Sequence, residues 1–241
     1  MKILGVIPVR FASTRFPGKP LAIISGKPMV QHVYERSKKS KSLDDLIIAT
    51  DDSRIFSVAK GFGAKVVLTG EHPTGTDRIA EVARNINTEI VVNIQGDEPV
   101  IDRRIIDDAV APLIKDKKIV MSTLIHKIEK DDEIKNTNIV KVAVDKDNFA
   151  LYFSRSEIPY YRNKDAKKIF YKHIGLYVYR KNFLLEFVKM PQSRLEKAEE
   201  LEQLRALENG YRIKVVLTNY SSIPVDVPED IKKVEKFLKS C

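Results

Sequence analysis

The sequence predicts an α/β fold, a mostly parallel central sheet with helices on both faces. Three observations predict it. Compact apolar runs at 2–9, 46–50, 65–68 and 89–94 read as buried strands. Segments with helical spacing separate them. The strands lack polar alternation, which argues for burial on both faces between two helix layers. The 241 residues, 43% hydrophobic and 31% charged, are enough for one large domain with an ordinary core.

Each element follows from local chemistry. The first strand, 2–9, leads into a polar loop, 10–20, with Pro17-Gly18 at its centre. Gly26-Lys27-Pro28 opens a helix, with Pro28 suited to the first helical position and Val30, Val33 and Tyr34 on the apolar face. After the strand at 46–50, Asp51-Asp52-Ser53 caps a helix that stops near 61–63. The strand at 65–68 precedes a helix marked by Ile79, Val82, Ala83 and Ile86. The strand at 89–94 ends in Gln95-Gly96-Asp97-Glu98-Pro99, and a helix follows at 103–114.

The second half is more mixed. Runs at 140–144 and 150–153 read as hairpin strands, and 171–179 as a further strand containing His173. A single helix is expected over 195–209, with Ala198, Leu201, Leu204 and Leu207 along one flank and Gly210 as its stop. A strand at 213–217 and a helix at 228–238 close the chain. No linker interrupts it, so a single domain over 1–241 is expected.

Composition narrows the function classes. The net charge is +9, from 42 basic and 33 acidic residues, but the lysines are dispersed among acids. That reads as a solvated surface that helps gather anionic small substrates, with no nucleic-acid partner expected. The lone Cys241 allows no intramolecular disulfide. The apolar run at 3–9 is too short for a signal peptide, and no stretch reaches the roughly 18 residues of a membrane span. A cytoplasmic protein without a membrane partner is expected.

In parallel sheets ligands gather at the carboxyl ends of the strands, where loops 10–20 and 95–99 lie. The first loop carries Arg10, Ser13, Thr14, Arg15, Gly18 and Lys19 directly after a buried strand. Cations, hydroxyls and flexible backbone donors are what a triphosphate requires, and a solvated basic loop is the plain alternative. The spacing is neither a Walker A nor a dinucleotide fingerprint. Asp97, and again Asp226 within Val225-Asp226-Val227-Pro228, stand between a strand and a helix. Each suits either a hard cation or a helix cap. On their own, His173, Arg155 and Glu202 read as a packed histidine, a surface ion-pair member and a solvated acid rather than as ligand groups.

Several motifs in order, nearly end to end, resemble the 3-deoxy-manno-octulosonate (Kdo) cytidylyltransferases. They are residues 10–20 with Gly26-Lys27-Pro28-Met29, Ala49-Thr50-Asp51, Gly75-Thr76-Asp77-Arg78, Gln95-Gly96-Asp97-Glu98-Pro99, Ala150-Leu151-Tyr152-Phe153-Ser154-Arg155, His173-Ile174-Gly175-Leu176-Tyr177, Leu201-Glu202-Gln203-Leu204-Arg205 and Val225-Asp226-Val227-Pro228-Glu229-Asp230. The resemblance implies a nucleotide-diphospho-sugar transferase-like fold with a smaller mixed part, about 139–180, for sugar binding and dimer contact. It implies transfer of CMP from CTP to Kdo with Mg²⁺, pyrophosphate release and a homodimer. Arg10, Ser13, Arg15 and Lys19 would bind the triphosphate, Thr76 and Arg78 would lie beside the cytidine, and Asp97 and Asp226 would hold Mg²⁺. Arg15, Lys19, Asp97 and Asp226 form the expected catalytic set. Gln95, Arg155, Arg162, His173, Tyr177, Glu202 and Gln203 would bind the sugar acid. Val9, Phe11 and Phe16 depart from the family's common alanine, tyrosine and leucine, and 158–171 is the least typical stretch. An 8-amino-8-deoxy sugar remains an alternative acceptor, as does the substrate of another sugar nucleotidyltransferase.

Overall fold

The computed structural model describes residues 1–12, 15–220 and 223–239. The chain divides into two compact units, 1–107 with 220–241, and 108–219. Ser13 and Cys241 lie outside the described residues.

The first unit contains β1 (Ile3–Pro8), a 3-10 turn (Lys19–Leu21), β2 (Ile23–Ile24), β3 (Lys27–Pro28), α1 (Met29–Ser37), β4 (Asp45–Thr50), α2 (Ser53–Gly61), β5 (Val66–Leu68), α3 (Gly75–Arg84), β6 (Ile90–Asn93) and the start of α4 (Arg103–Lys115). Its strands run β6-β1-β4-β5, all parallel. Ile7, Ile48, Ile90 and Val91 are fully buried from the sheet, as are Met29 and Val33 of α1, Ile55 of α2, and Ile79 and Ala83 of α3. This is the continuous apolar strand pattern of a sheet covered by helices. Asp52 caps α2 as expected, accepting from Arg54 N–H (2.9 Å) and Ile55 N–H (3.3 Å).

Pro28 is not the first helical residue. It ends a small antiparallel hairpin, β2 with β3, and α1 begins at Met29. Ser25 and Gly26 both have positive φ (46° and 82°), the conformation of a two-residue hairpin turn.

The second unit contains the rest of α4, then β7 (Met121–Lys127), α5 (Asp131–Lys135), β8 (Lys141–Val144), β9 (Ala150–Ser154), β10 (Tyr171–Arg180), α6 (Lys181–Phe187), α7 (Arg194–Glu199), α8 (Gln203–Glu208) and β11 (Lys214–Leu217). β7 pairs parallel with β11 and antiparallel with β10. β8 pairs antiparallel with β9 and β10. β7 was not evident from the sequence because Ser122 and Thr123 interrupt its apolar run. Both are fully buried and hydrogen-bonded; Ser122 donates to the Ala109 carbonyl at 2.6 Å.

The single helix expected over 195–209 is two helices. Glu200 adopts φ 51°, and α8 restarts at Gln203. The reason is a buried ion pair. Arg205 Nε donates to Glu196 Oε2 at 2.8 Å, and both side chains are nearly fully buried. Residues nine apart point to opposite sides of one straight helix, at about 100° per residue. The break lets both face the same interior. It leaves Ala198 exposed, off the apolar flank it was expected to share.

After Tyr220 the chain rejoins the first unit and ends in α9 (Asp230–Lys239). Val225 and Val234 there are buried with Ile24, Met29 and Val100, and Phe16, Ile223, Ile231 and Leu238 pack around them. No helix among the described residues is long and apolar enough to cross a membrane.

Candidate active site

A cleft of about 720 Å³ opens at the carboxyl ends of β1 and β6 in the first unit. Its size lies in the ordinary range for a bound small molecule. Arg10, Arg15, Lys19, Arg78, Gln95, Asp97 and Asp226 all line it. Seven of the residues assigned from the sequence, drawn from four chain segments, therefore face one cavity.

Close packing builds its floor. A side chain at Gly96 would place Cβ 2.4 Å from Val9 Cγ1 and 3.2 Å from the Pro8 carbonyl, so only glycine lets the loop after β6 lie against the end of β1. Gly18 has φ 72° and donates its N–H to the Phe11 carbonyl at 3.0 Å, which folds loop 10–20 back on itself. Phe11 also carries the Arg54 guanidinium over its ring, 3.4 Å from the centroid. Phe16 packs into the apolar cluster beneath.

Lys19 organises the charges. Its ammonium donates to Asp97 Oδ2 at 2.8 Å and to the Val225 carbonyl at 3.0 Å, and lies 3.8 Å from Asp226 Oδ1. Arg15 reaches the same Asp226 oxygen at 3.3 Å. Val225 N–H donates to the Asp97 carbonyl at 2.9 Å, tying the two carboxylate-bearing loops together through their backbones. Asp97 and Asp226 thus face one cation, the distance relation that spacing alone left open. Neither caps a helix. Among the described residues no group of three or more acidic, histidine or cysteine side chains converges as a ready-made metal cage. Two carboxylates meeting on one positive charge are oxygen donors of the kind a hard divalent cation takes.

The far wall is the start of α3. Arg78 is almost fully buried; its Nη2 donates to Asp51 Oδ2 at 2.6 Å, and its Nη1 contacts Thr69 Oγ1 and, at 3.4 Å, the Gly70 carbonyl. It therefore fixes the loops after β4 and β5 while one edge borders the cleft. Thr76 is buried, and the lining at that point comes from Thr74 and Gly75. Thr74 caps α3, accepting from Asp77 N–H at 3.1 Å. His72 also lines the cleft and is bonded to Glu81, whose carboxyl it holds below the usual range. His72 and Thr74 escaped the sequence reading; the Thr-x-x-Asp spacing before a helix was the available signal for Thr74.

The other assigned residues lie in the second unit. His173, Tyr177 and Glu202 come together there. The His173 and Tyr177 ring centroids are 5.1 Å apart, and Phe153 meets His173 edge-on at 5.3 Å. Burial pushes His173 down to about 3, so the ring is neutral. Burial raises the Tyr177 hydroxyl, and Tyr179 and the nearby Glu202 carboxylate add to the effect. Gln203 is buried beside Glu202, and its Nε2 has no hydrogen-bond partner among the described residues. Arg155 donates to the Glu199 carbonyl (2.7 Å), the Thr137 carbonyl (3.1 Å) and the Glu200 carbonyl (3.4 Å), which holds the end of β9 against α7. Part of its five-donor fork remains for a ligand. Arg162 is exposed and has no hydrogen-bond or ion-pair partner among the described residues.

A cationic loop after β1, facing two aspartates at the edge of a parallel sheet, defines an α/β nucleotidyltransferase. The model of the cytidylyltransferase family matches residues 4–214. The chain is 52% identical over 250 residues to the 3-deoxy-manno-octulosonate cytidylyltransferase of Geobacter sulfurreducens, covering 99% of this chain and all of that one. It is 54% identical to the enzyme of that name from Solibacter usitatus, over 99% and 95% of the two chains. A solved CMP:2-keto-3-deoxy-manno-octonic acid synthetase complexed with CTP superposes with a TM-score of 0.95 at 40% identity, covering 100% and 99%. The chain belongs to the 3-deoxy-manno-octulosonate cytidylyltransferase family.

Proposed function

We propose that this enzyme transfers CMP from CTP to Kdo, releasing pyrophosphate and supplying CMP-Kdo for lipopolysaccharide assembly. The observation that carries the reading is the convergence of Lys19, Arg15, Asp97 and Asp226 in one cleft. It has the features expected of phosphoryl chemistry that depends on positioning and charge neutralisation.

The anomeric hydroxyl of the sugar attacks the α-phosphorus in line. A new O–P bond forms, the bond to the β-phosphate oxygen breaks with its electron pair, and the hydroxyl proton passes to solvent. Arg10, Arg15 and Lys19 bind the triphosphate and stabilise the charge that gathers on departing pyrophosphate. Lys19 must turn its ammonium from the aspartates towards phosphate. Asp97 and Asp226 would hold Mg²⁺. When bound, the metal supplies Lewis-acid neutralisation of the phosphate oxygens. Thr76 and Arg78 shape the nucleoside end from behind the lining residues Thr74 and Gly75. Ser13 contributes a hydroxyl to the phosphates.

Gln95, His173, Tyr177, Glu202 and Gln203 bind the sugar hydroxyls, and Arg155 and Arg162 its carboxylate. The chain acts in the cytoplasm as a homodimer, with about 139–180 in the dimer contact. No membrane or nucleic acid takes part.

The test is pyrophosphate release by purified protein with CTP, Mg²⁺, and either Kdo or its 8-amino analogue. Release that requires CTP and Kdo supports the reading. Preference for the amino sugar reassigns the acceptor. No release with either sugar, in protein stabilised by CTP in a thermal melt, overturns the acceptor while keeping the nucleotide half.

A further inference from the structure

The second unit holds a buried hydroxyl that fixes the hydrogen-bonding character of His173. β10 bulges between Ile174 and Tyr177, and Thr123 of β7 stands opposite Tyr177 at the end of the bulge. Thr123 is fully buried. Its Oγ1 lies 2.8 Å from the Leu176 carbonyl, 3.1 Å from the Ile174 carbonyl and 2.9 Å from His173 Nε2.

A threonine hydroxyl has one proton to donate and lone pairs with which to accept. Carbonyl oxygens only accept. If the Thr123 proton pointed at His173, both bulge carbonyls would face an oxygen lone pair at hydrogen-bond distance. With the proton directed to the nearer Leu176 carbonyl, Oγ1 accepts from Nε2–H, and only the Ile174 carbonyl is left facing a lone pair, so this arrangement has one repulsive contact where the other has two. His173 then carries its single proton on Nε2, and Nδ1 presents a lone pair.

We propose that Thr123 is a positioning residue that holds His173 in the Nε2-protonated tautomer, so that Nδ1 acts as an acceptor for a hydroxyl or ammonium group of the acceptor sugar. The inference rests on the reading that His173 contacts the sugar. Burial keeps the imidazole neutral, so this acceptor is present across the working pH range and the ring cannot serve as a partner for the sugar's carboxylate. Neither Thr123 nor the bulge has an apparent signature in the sequence, where Ser122-Thr123 reads as a polar break in a strand.

The experiment is nitrogen NMR on full-length protein labelled at its four histidines, with His173 assigned by its loss in H173A. The expected spectrum shows Nε2 protonated, with a slowly exchanging proton, and Nδ1 bare. Thr123→Val removes the acceptor, so that slow exchange is lost and the KM for the sugar rises about tenfold with the KM for CTP unchanged. Thr123→Ser keeps the oxygen and restores both readouts. A wild-type ring protonated on Nδ1 overturns the proposal, and it does so even if the valine variant fails to fold. A raised sugar KM in H173A with an unchanged one in Thr123→Val also overturns it while leaving the sugar site intact. An unchanged sugar KM in H173A overturns the sugar reading itself, and the positioning role with it.

Discussion

At the scale of single residues, the site depends on contacts that tolerate no added atom and no lost charge. Asp97 is held by Lys19 at 2.8 Å and supports the Asp226 loop through its carbonyl. Asp97→Asn keeps the shape and removes the charge. Turnover in the pyrophosphate assay is expected to fall by about 10² or more with an unchanged thermal melt. Near-normal turnover would refute the metal assignment. Gly96→Ala is a different kind of lesion, because its Cβ would meet Val9 Cγ1 at 2.4 Å. Destabilisation of about 1–3 kcal/mol is expected in urea unfolding. Adding Val9→Ala to the same chain makes room and should recover most of that loss, whereas purely additive losses would show that the strain lies elsewhere. The cation-rich loop and the two aspartates stood out in the sequence through the order of their motifs, because each residue type alone also suits a solvated loop or a helix cap. Their mutual distance was not, since Lys19 and Asp97 are 78 residues apart.

At the scale of elements, the break between α7 and α8 shows a tertiary demand overriding local propensity. The segment 195–209 has the composition and spacing of one helix. The buried Glu196–Arg205 pair requires two side chains nine residues apart to face one interior, and Glu200 takes a left-handed conformation to allow it. Replacing Glu196 with alanine leaves the Arg205 charge buried and unpaired. A loss of about 3–5 kcal/mol in urea unfolding is expected. A loss below about 1 kcal/mol would mean that solvent reaches Arg205. The same substitution should raise the KM for the sugar more than that for CTP, because Gln203, proposed to bind the sugar, begins α8 and Glu202, proposed likewise, stands at its N-cap. The parallel strands of the first unit were legible as uninterrupted apolar runs, and β7 was hidden because its two buried hydroxyls look like a loop.

At the scale of the whole molecule, pH and salt act through summed charge. His173 is neutral when folded, with its pKa lowered to about 3 from an ordinary 6.5. Between those values the unfolded chain binds a proton that the folded chain does not, so this residue makes stability fall as pH drops from about 6.5 towards 3. Asp52 and Asp102 are held below the usual range, chiefly by Arg54 and Arg104, and their stabilisation is also lost on acidification, as pH falls through their folded values. The urea midpoint of the wild type should therefore drop more steeply below pH 6.5 than that of H173Q. Parallel profiles would show that His173 is solvated. The net charge of +9 should make kcat/KM for CTP decline as salt rises, and a flat profile would remove the role assigned to long-range attraction.

The sequence by itself determined the α/β class, the two loops that line the cleft and the family, because apolar runs, helix caps and motifs are properties of neighbouring residues. Only the tertiary structure decided that Asp97 and Asp226 share one cation, that Arg78 and Arg155 use much of their donor capacity on their own chain, and that Thr123 sits against His173. Those relations join segments distant in the chain. What places them is side-chain packing and the requirement that buried polar groups find partners, and neither is encoded in local spacing.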